Sequence, residues 1–308
     1  MRPESQEKFN NFLSSLSSGT NKDWFIRFFK MLEDCGVDEN IIDLAINLLT
    51  RPENDFRRTK EGERDPLRIS AIAQGAQESF FNFMENMAKE NGVEYLKNFL
   101  ENAIIQMGMG FDRYVNEDHL RNTNFYNLFM RQLVKAFPEE VRIEDVGKKS
   151  MKTTSSRIHG GEIQISFAGI YLGHIQYDEE SSNIPHMQFT DFRTLPGLEG
   201  MGLGTLLISE FCRQIVEYKP GYAMLAFNVK KGKDGDKTYS HWGGYPVTIS
   251  CDGGDTWIID DTPWTREKYE ANTRNMMFFF PESAVKALAE KRSTRYPNAN
   301  IDSEKVIE

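Results

Sequence analysis

Apolar residues recur at helical spacing through the first 137 positions and at strand-like spacing over much of the remaining chain. Asp23–Leu32 carries Trp24, Phe25, Phe28, Phe29 and Leu32 on one stripe, and Gly36 supplies a stop. Asp38–Leu49 repeats the pattern behind an acidic start, which suits an N-terminal cap. Ile69–Lys89 and Val93–Met107 read as two further helices, the second broken by Gly108-Met109-Gly110. Asn116–Phe137 reads as one more amphipathic helix, stopped by Pro138. Between these, Arg51–Asp65 is a charged stretch without periodicity and reads as a loop. Core packing explains the aromatic residues of the helical part most simply, with a protein partner for these helices as the other use.

After Pro138 the pattern changes. Val141–Arg157 reads as a linker or a first strand. Glu162–Tyr177 contains two alternating strands around Ala168-Gly169, and His186–Thr194 is a third. A helix runs from Thr205 to about Tyr218, with Leu207, Ile208, Phe211, Cys212 and Ile215 on one face. Ala223–Val229 is a strand of buried type. Val247–Cys251, Asp252-Gly253-Gly254-Asp255 and Thr256–Ile259 form a hairpin pattern. Asn275–Phe280 is a last apolar strand, Glu282–Lys291 a short helix, and the tail after Tyr296 reads as frayed. The expected organisation is a helical domain over 1–137 and a mixed α/β domain over 138–308.

Composition narrows the classes. A chain of 308 residues with 39% hydrophobic and 12% aromatic content can bury two cores and is not disordered throughout. A net charge of −9 argues against a broad nucleic-acid surface, which needs clustered Lys and Arg. Cys35, Cys212 and Cys251 are sparse, odd in number and far apart, as expected in a reducing compartment. The first residues lack an apolar signal segment and no apolar run approaches membrane-spanning length, so a cytoplasmic protein without membrane contact is expected. His119, His159, His174, His186 and His241 show no metal-ligand spacing, so no metal is expected.

The candidate chemistry lies between the third strand and its helix, at Pro196-Gly197-Leu198-Glu199-Gly200-Met201-Gly202-Leu203-Gly204-Thr205. Alternating glycines let successive backbone N–H groups point at one anion, and the helix adds its positive end. The spacing is not the dinucleotide fingerprint, and the loop lacks the Gly-Lys-Thr/Ser of a Walker A motif. This stretch resembles the acetyl-CoA loop of the GNAT acetyltransferase superfamily. Tyr239-Ser240-His241-Trp242-Gly243-Gly244-Tyr245 resembles the family's tyrosine segment, with Tyr239 lying 35 residues after Gly204. The resemblance covers about residues 160–260. It departs at Glu199, where the family places Arg or Gln.

The resemblance implies a mixed sheet flanked by helices and an N-acyltransferase that moves an acetyl group from acetyl-CoA to a primary amine. Glu199, Gly200, Met201, Gly202, Leu203, Gly204 and Thr205 would hold the pyrophosphate through backbone. Phe192, Arg193 and Thr194 would offer a strand edge to the pantetheine arm. Tyr239 would protonate the departing thiolate, because a phenol near the sulfur can give it a proton. Asp191, nearest the loop, is the preferred base for the ammonium, with Asp178, Glu179, Glu180 and water as the alternatives. The acceptor would be a small-molecule or peptide amine. The second reading is a non-catalytic CoA-responsive or protein-interaction module, favoured by Glu199 and the helical N-terminal part.

Overall fold

The computed structural model describes residues 1–16, 20–50, 67–116, 125–146, 161–179, 182–229, 234–251, 257–272 and 275–299. They fall into two compact units. The first comprises Met1–Val141 with Ser166–Tyr171 and Leu195–Glu199, and the second holds the rest.

The first unit is helical: α1 (Pro3–Ser15), α2 (Thr20–Asp34), α3 (Glu39–Leu49), α4 (Leu67–Asn91), α5 (Val93–Asn116) and α6 (Phe125–Ala136). The Asp38 side chain caps α3, accepting from Asn40 N–H at 2.8 Å. Gly36, at φ 70°, ends the turn after α2. Trp24, Phe28, Phe29, Phe80, Phe125 and Phe129 make the core, with Trp24 stacked on Phe28 at 4.9 Å and Phe28 edge-on to Phe129 at 5.0 Å.

Two expectations for this region fail. Gly108-Met109-Gly110 does not break its helix, because α5 continues to Asn116. Buried Ile104 and Met107 hold that part of α5 against α3, and packing of this kind outweighs the roughly 1 kcal/mol propensity cost of a glycine. Asn116 belongs to α5 rather than to the start of the next helix; α6 spans Phe125–Ala136, and 117–124 lie outside the described residues. Arg51–Asp65 lies outside the described residues.

The second unit is built on a mixed sheet with strand order β1-β2-β3-β4-β5-β8-β6-β7. Its strands are β1 (Val141–Asp145), β2 (Gly161–Phe167), β3 (Ile170–Glu179), β4 (His186–Thr194), β5 (Ala223–Val229), β6 (Tyr245–Cys251), β7 (Trp257–Asp260) and β8 (Met276–Phe280). Helices α7 (Leu203–Tyr218), α8 (Asp234–His241), α9 (Arg266–Ala271) and α10 (Glu282–Ala289) complete it. Only β4 and β5 run parallel among the pairs that adjoin them, β3–β4 and β5–β8 being antiparallel. α7 and α10 pack on each other and on β4, β5 and β8. The expected mixed sheet with helices packed on it is present.

Val141–Asp145 is a strand rather than linker. The tail is not frayed at once after Tyr296: Tyr296 and Ala299 are both fully buried. The turn Asp252–Asp255 and the segment 230–233 lie outside the described residues. Among the described residues, no helix is long and apolar enough to cross a membrane.

Candidate functional site

The glycine loop opens α7 with unsatisfied donors. Gly202 is the N-cap at φ 85°, and no side chain caps the helix. Leu206 N–H is the first to bond back, to Gly202 O at 3.0 Å. The N–H groups of Leu203, Gly204 and Thr205 have no acceptor among the described residues. Three orphan donors at the positive end of a 16-residue helix make an anion cradle. The side chains of Met201 and Leu203 are buried, so these two residues face the cradle only through backbone.

Each glycine has its own reason. Gly200 and Gly202 sit at φ 71° and 85°, which a side chain would strain, although a Cβ at either would meet open space. At Gly204 a Cβ would lie 3.2 Å from the Phe192 ring, so this glycine lets the helix approach β4. The loop is also pinned from behind. Met201 O accepts from Tyr296 Oη at 2.7 Å and Arg295 Nη1 at 3.3 Å. In a trans peptide the next N–H points the opposite way, so this anchor aims Gly202 N–H away from Tyr296.

The first part of the loop belongs to the helical unit. Arg131 Nη1 donates to Gly197 O and Glu199 O, both at 2.8 Å. The Glu199 carboxylate accepts from Gly197 N–H at 2.7 Å. The acidic residue that departs from the family pattern is thus engaged with a backbone donor two residues back.

Beside the loop the sheet splits. β4 and β5 pair from His186↔Ala223 to Phe189↔Ala226 and no further. β4 continues to Thr194 with only β3 as neighbour, and β5 continues to Val229 with only β8. The β5-facing edge of Thr190–Thr194, which contains Phe192, Arg193 and Thr194, therefore has no strand partner among the described residues, the arrangement an extended ligand can use.

A bulge sets what faces where. Gln176 pairs with Asp191 and Tyr177 with Phe189, leaving Thr190 as the extra residue. Alternation restarts after it. Phe189 and Phe192 both turn towards α7, Phe189 meeting Phe211 at 6.5 Å and Phe192 lying against Gly204. Asp191 and Arg193 turn to the opposite face, where Arg193 Nε donates to Asp191 Oδ1 at 2.6 Å. His174 Nε2 lies 3.5 Å from Asp191 Oδ2.

Tyr239, on α8, sits at the fork. Its ring meets Phe189 of β4 at 5.6 Å, Phe278 and Phe280 of β8 at 5.8 and 6.0 Å, and Trp242 at 5.6 Å. Phe189 and Phe278 are the two register partners of Ala226, the last β5 residue paired to β4. No described group bonds the Tyr239 hydroxyl. Burial pushes this phenol well above its ordinary pKa, and the nearby Asp191 charge adds to the shift. It stays protonated across the neutral range and is available as a donor.

The sequence pattern did not single out His174, Arg131, Arg295 or Tyr296. Tyr296 lies 95 positions from the carbonyl it holds, with no local signal. His174 could have been found as an alternate-position neighbour of Asp191 on the adjacent strand. Among the described residues, no group of three or more His, Cys, Asp or Glu is placed to hold a metal ion.

No protein-family model matches the sequence, and no curated protein does. Solved structures similar to it include the AtaT toxin bound to the C-terminus of the antitoxin AtaR, at 11% identity over 49% of this chain and 99% of that one, TM-score 0.33. Escherichia coli ElaA matches at 7% identity over 46% of this chain and 99% of its own, TM-score 0.31. A spermidine N-acetyltransferase SpeG chimera from Vibrio cholerae and hSSAT matches at 10% identity over 46% and 78%, TM-score 0.31. AtaT has also been solved with acetyl-CoA. At these scores the likenesses carry no weight for substrate or residue roles.

Proposed function

We propose that the second unit is a GNAT-type N-acyltransferase that moves an acetyl group from acetyl-CoA to a primary amine. The observation that carries this is the strand split between β4 and β5, bordered at one end by a helix N-terminus with three orphan donors and at its fork by a half-buried phenol. The cradle suits a pyrophosphate, the open edge of Thr190–Thr194 suits the amides of a pantetheine arm, and Tyr239 suits a thiolate.

In this reading the ammonium loses a proton to Asp191 or water, and the amine nitrogen attacks the thioester carbonyl carbon. The nitrogen of the tetrahedral adduct gives up its second proton to water, and the carbon–sulfur bond breaks as the carbonyl re-forms. The sulfur leaves with the electron pair and takes the Tyr239 proton, which solvent restores. The products are an amide, free CoA thiol and one proton released to water. Asp191 and Tyr239 lie on opposite faces of the sheet, which matches one group acting on the amine and the other on the sulfur. Glu199, which favours a ligand-free module in the second reading, has its carboxylate on Gly197 N–H, and this supports a role in shaping the loop.

Calorimetry with acetyl-CoA tests the reading. The wild type is expected to bind, and Gly202→Asp, which sets a carboxylate at the cradle, to weaken binding by about tenfold or more. Tyr239→Phe is expected to keep binding and lower kcat by about 100-fold or more. A wild type that does not bind acetyl-CoA, or a Gly202→Asp variant that binds equally well with an unchanged melting curve, overturns it.

A further inference from the structure

The face of the sheet turned away from α7 brings two unlike walls to the split. On the β4 side the Thr190 bulge delivers Asp191 and Arg193, with His174 of β3 beside them. Asp191 retains 27% side-chain exposure. One of its oxygens takes Arg193, and the other lies near His174. A carboxylate accepts at about four lone-pair positions, so each oxygen keeps capacity for a further donor.

On the β5 side, the first residue past the last β4 pair is Phe227. It is partly buried against a cluster of Ala223, Leu225, Val247, Ile259 and Phe279. Leu225 is the register partner of Gln188, which alternates with Phe189, so this cluster lies on the Asp191 face. The Phe227 ring meets Trp257 edge to face at 5.9 Å, and both rings are only partly covered. Asp191 and Phe227 therefore share one face and border one gap.

Resting on the acyl-transfer reading, we propose that this face is the acceptor subsite and that it takes a singly charged primary amine carried on an aromatic or apolar body. The ammonium donates to Asp191, and the body lies on Phe227 and Trp257. Arg193 shapes the selectivity. It holds Asp191 and places a fixed positive charge where the second ammonium of a polyamine would otherwise lie, while Phe227 and Trp257 of the other wall offer apolar surface. A partly covered aromatic pair gains from covering by a flat apolar group.

The experiment uses the full chain with acetyl-CoA and measures CoA release with phenethylamine, ethylamine, spermidine and an alanyl tetrapeptide. Phenethylamine is expected to exceed the other three in kcat/KM by about tenfold or more. Phe227→Ala is expected to raise KM for phenethylamine towards that for ethylamine and leave ethylamine itself within about twofold. Phe227→Leu, which keeps an apolar side chain in the cluster, is expected to lie between them and guards against misfolding. Faster turnover of spermidine or the tetrapeptide overturns the proposal, as does an equal loss for all amines in Phe227→Ala. If no amine is turned over, titration of phenethylamine into the protein decides: binding abolished by Phe227→Ala supports the subsite and absence of binding overturns it. That titration, run with and without acetyl-CoA, separates failure of the acceptor subsite from failure of the acyl-CoA site.

Discussion

Tyr296 shows how much of the cradle is held by one hydroxyl. Its ring is fully buried and its Oη donates to Met201 O at 2.7 Å. The next peptide carries Gly202 N–H, so the bond fixes the direction of a donor it does not touch. Tyr296→Phe keeps the ring and removes only the anchor. The Met201 carbonyl keeps the longer Arg295 contact, at 3.3 Å. The expected cost is about 1–2 kcal/mol in urea unfolding, with acetyl-CoA binding weakened several-fold by calorimetry. A variant unchanged in both would show that the loop holds its shape without the bond. Glu199 makes a related point. A motif comparison scores it as a misplaced charge, yet its carboxylate satisfies a backbone donor within its own loop. Which of these roles an acidic residue plays depends on backbone direction at Gly197, at φ 90°, which no spacing rule supplies.

At the scale of elements, Gly108 allows propensity and packing to be weighed against each other. The glycine lies inside α5, and a Cβ there would sit 3.4 Å from Leu44 Cδ2, the end of a flexible side chain at ordinary contact distance. Gly108→Ala is therefore expected to stabilise the protein by about 0.5–1 kcal/mol, read as a raised urea midpoint. A lowered midpoint would mean that α3 and α5 need the closer approach. The same position explains where the sequence was legible. α2–α6 were visible from their apolar stripes, and β2–β5 and α7 from alternation and the glycine loop, because local pattern and burial agree there. α8 was not visible: Lys230–Lys237 reads as a loop. Tertiary contacts favour helix instead, with Asp236 buried and accepting from the Tyr269 hydroxyl and Tyr239 and Trp242 packed on β4 and β8 aromatics. The Thr190 bulge was equally hidden, since His186–Thr194 reads as one uninterrupted strand. It decides that Phe192 and Asp191 face opposite ways, and so divides the site into two sides. Beyond the bulge, at the pair with Thr194, Gly173 lets the two strands close. A Cβ at Gly173 would lie 2.4 Å from Arg193 O.

Across the whole molecule, each unit carries a largely covered phenol, and the two bear on stability in the same direction. Burial raises the pKa of Tyr126 in the helical unit and of Tyr239 in the sheet unit, and it raises the Cys212 thiol as well. A group whose pKa is higher folded than unfolded contributes its full stability below the unfolded value and loses it as pH rises towards the folded one. Ordinary values near 8.5 for cysteine and 10 for tyrosine place the onset at about pH 9. Above about pH 10 each phenol that ionises only in the unfolded chain should cost about 1.4 kcal/mol per pH unit. The net charge of −9 adds self-repulsion in the same range, as lysines lose their protons. Repulsion is spread over the surface and ignores any single phenol, so variants separate the two causes. The urea midpoint is expected to be flat from pH 7 to about 9 and then to fall, with a shallower fall in Tyr126→Phe and in Tyr239→Phe. A fall as steep as that of the wild type in both variants would assign the alkaline loss to repulsion and the Cys212 thiol rather than to the two phenols. A shallower fall only in Tyr239→Phe would show that the sheet unit unfolds first, and that the phenol at the fork of the split limits the stability of the candidate site.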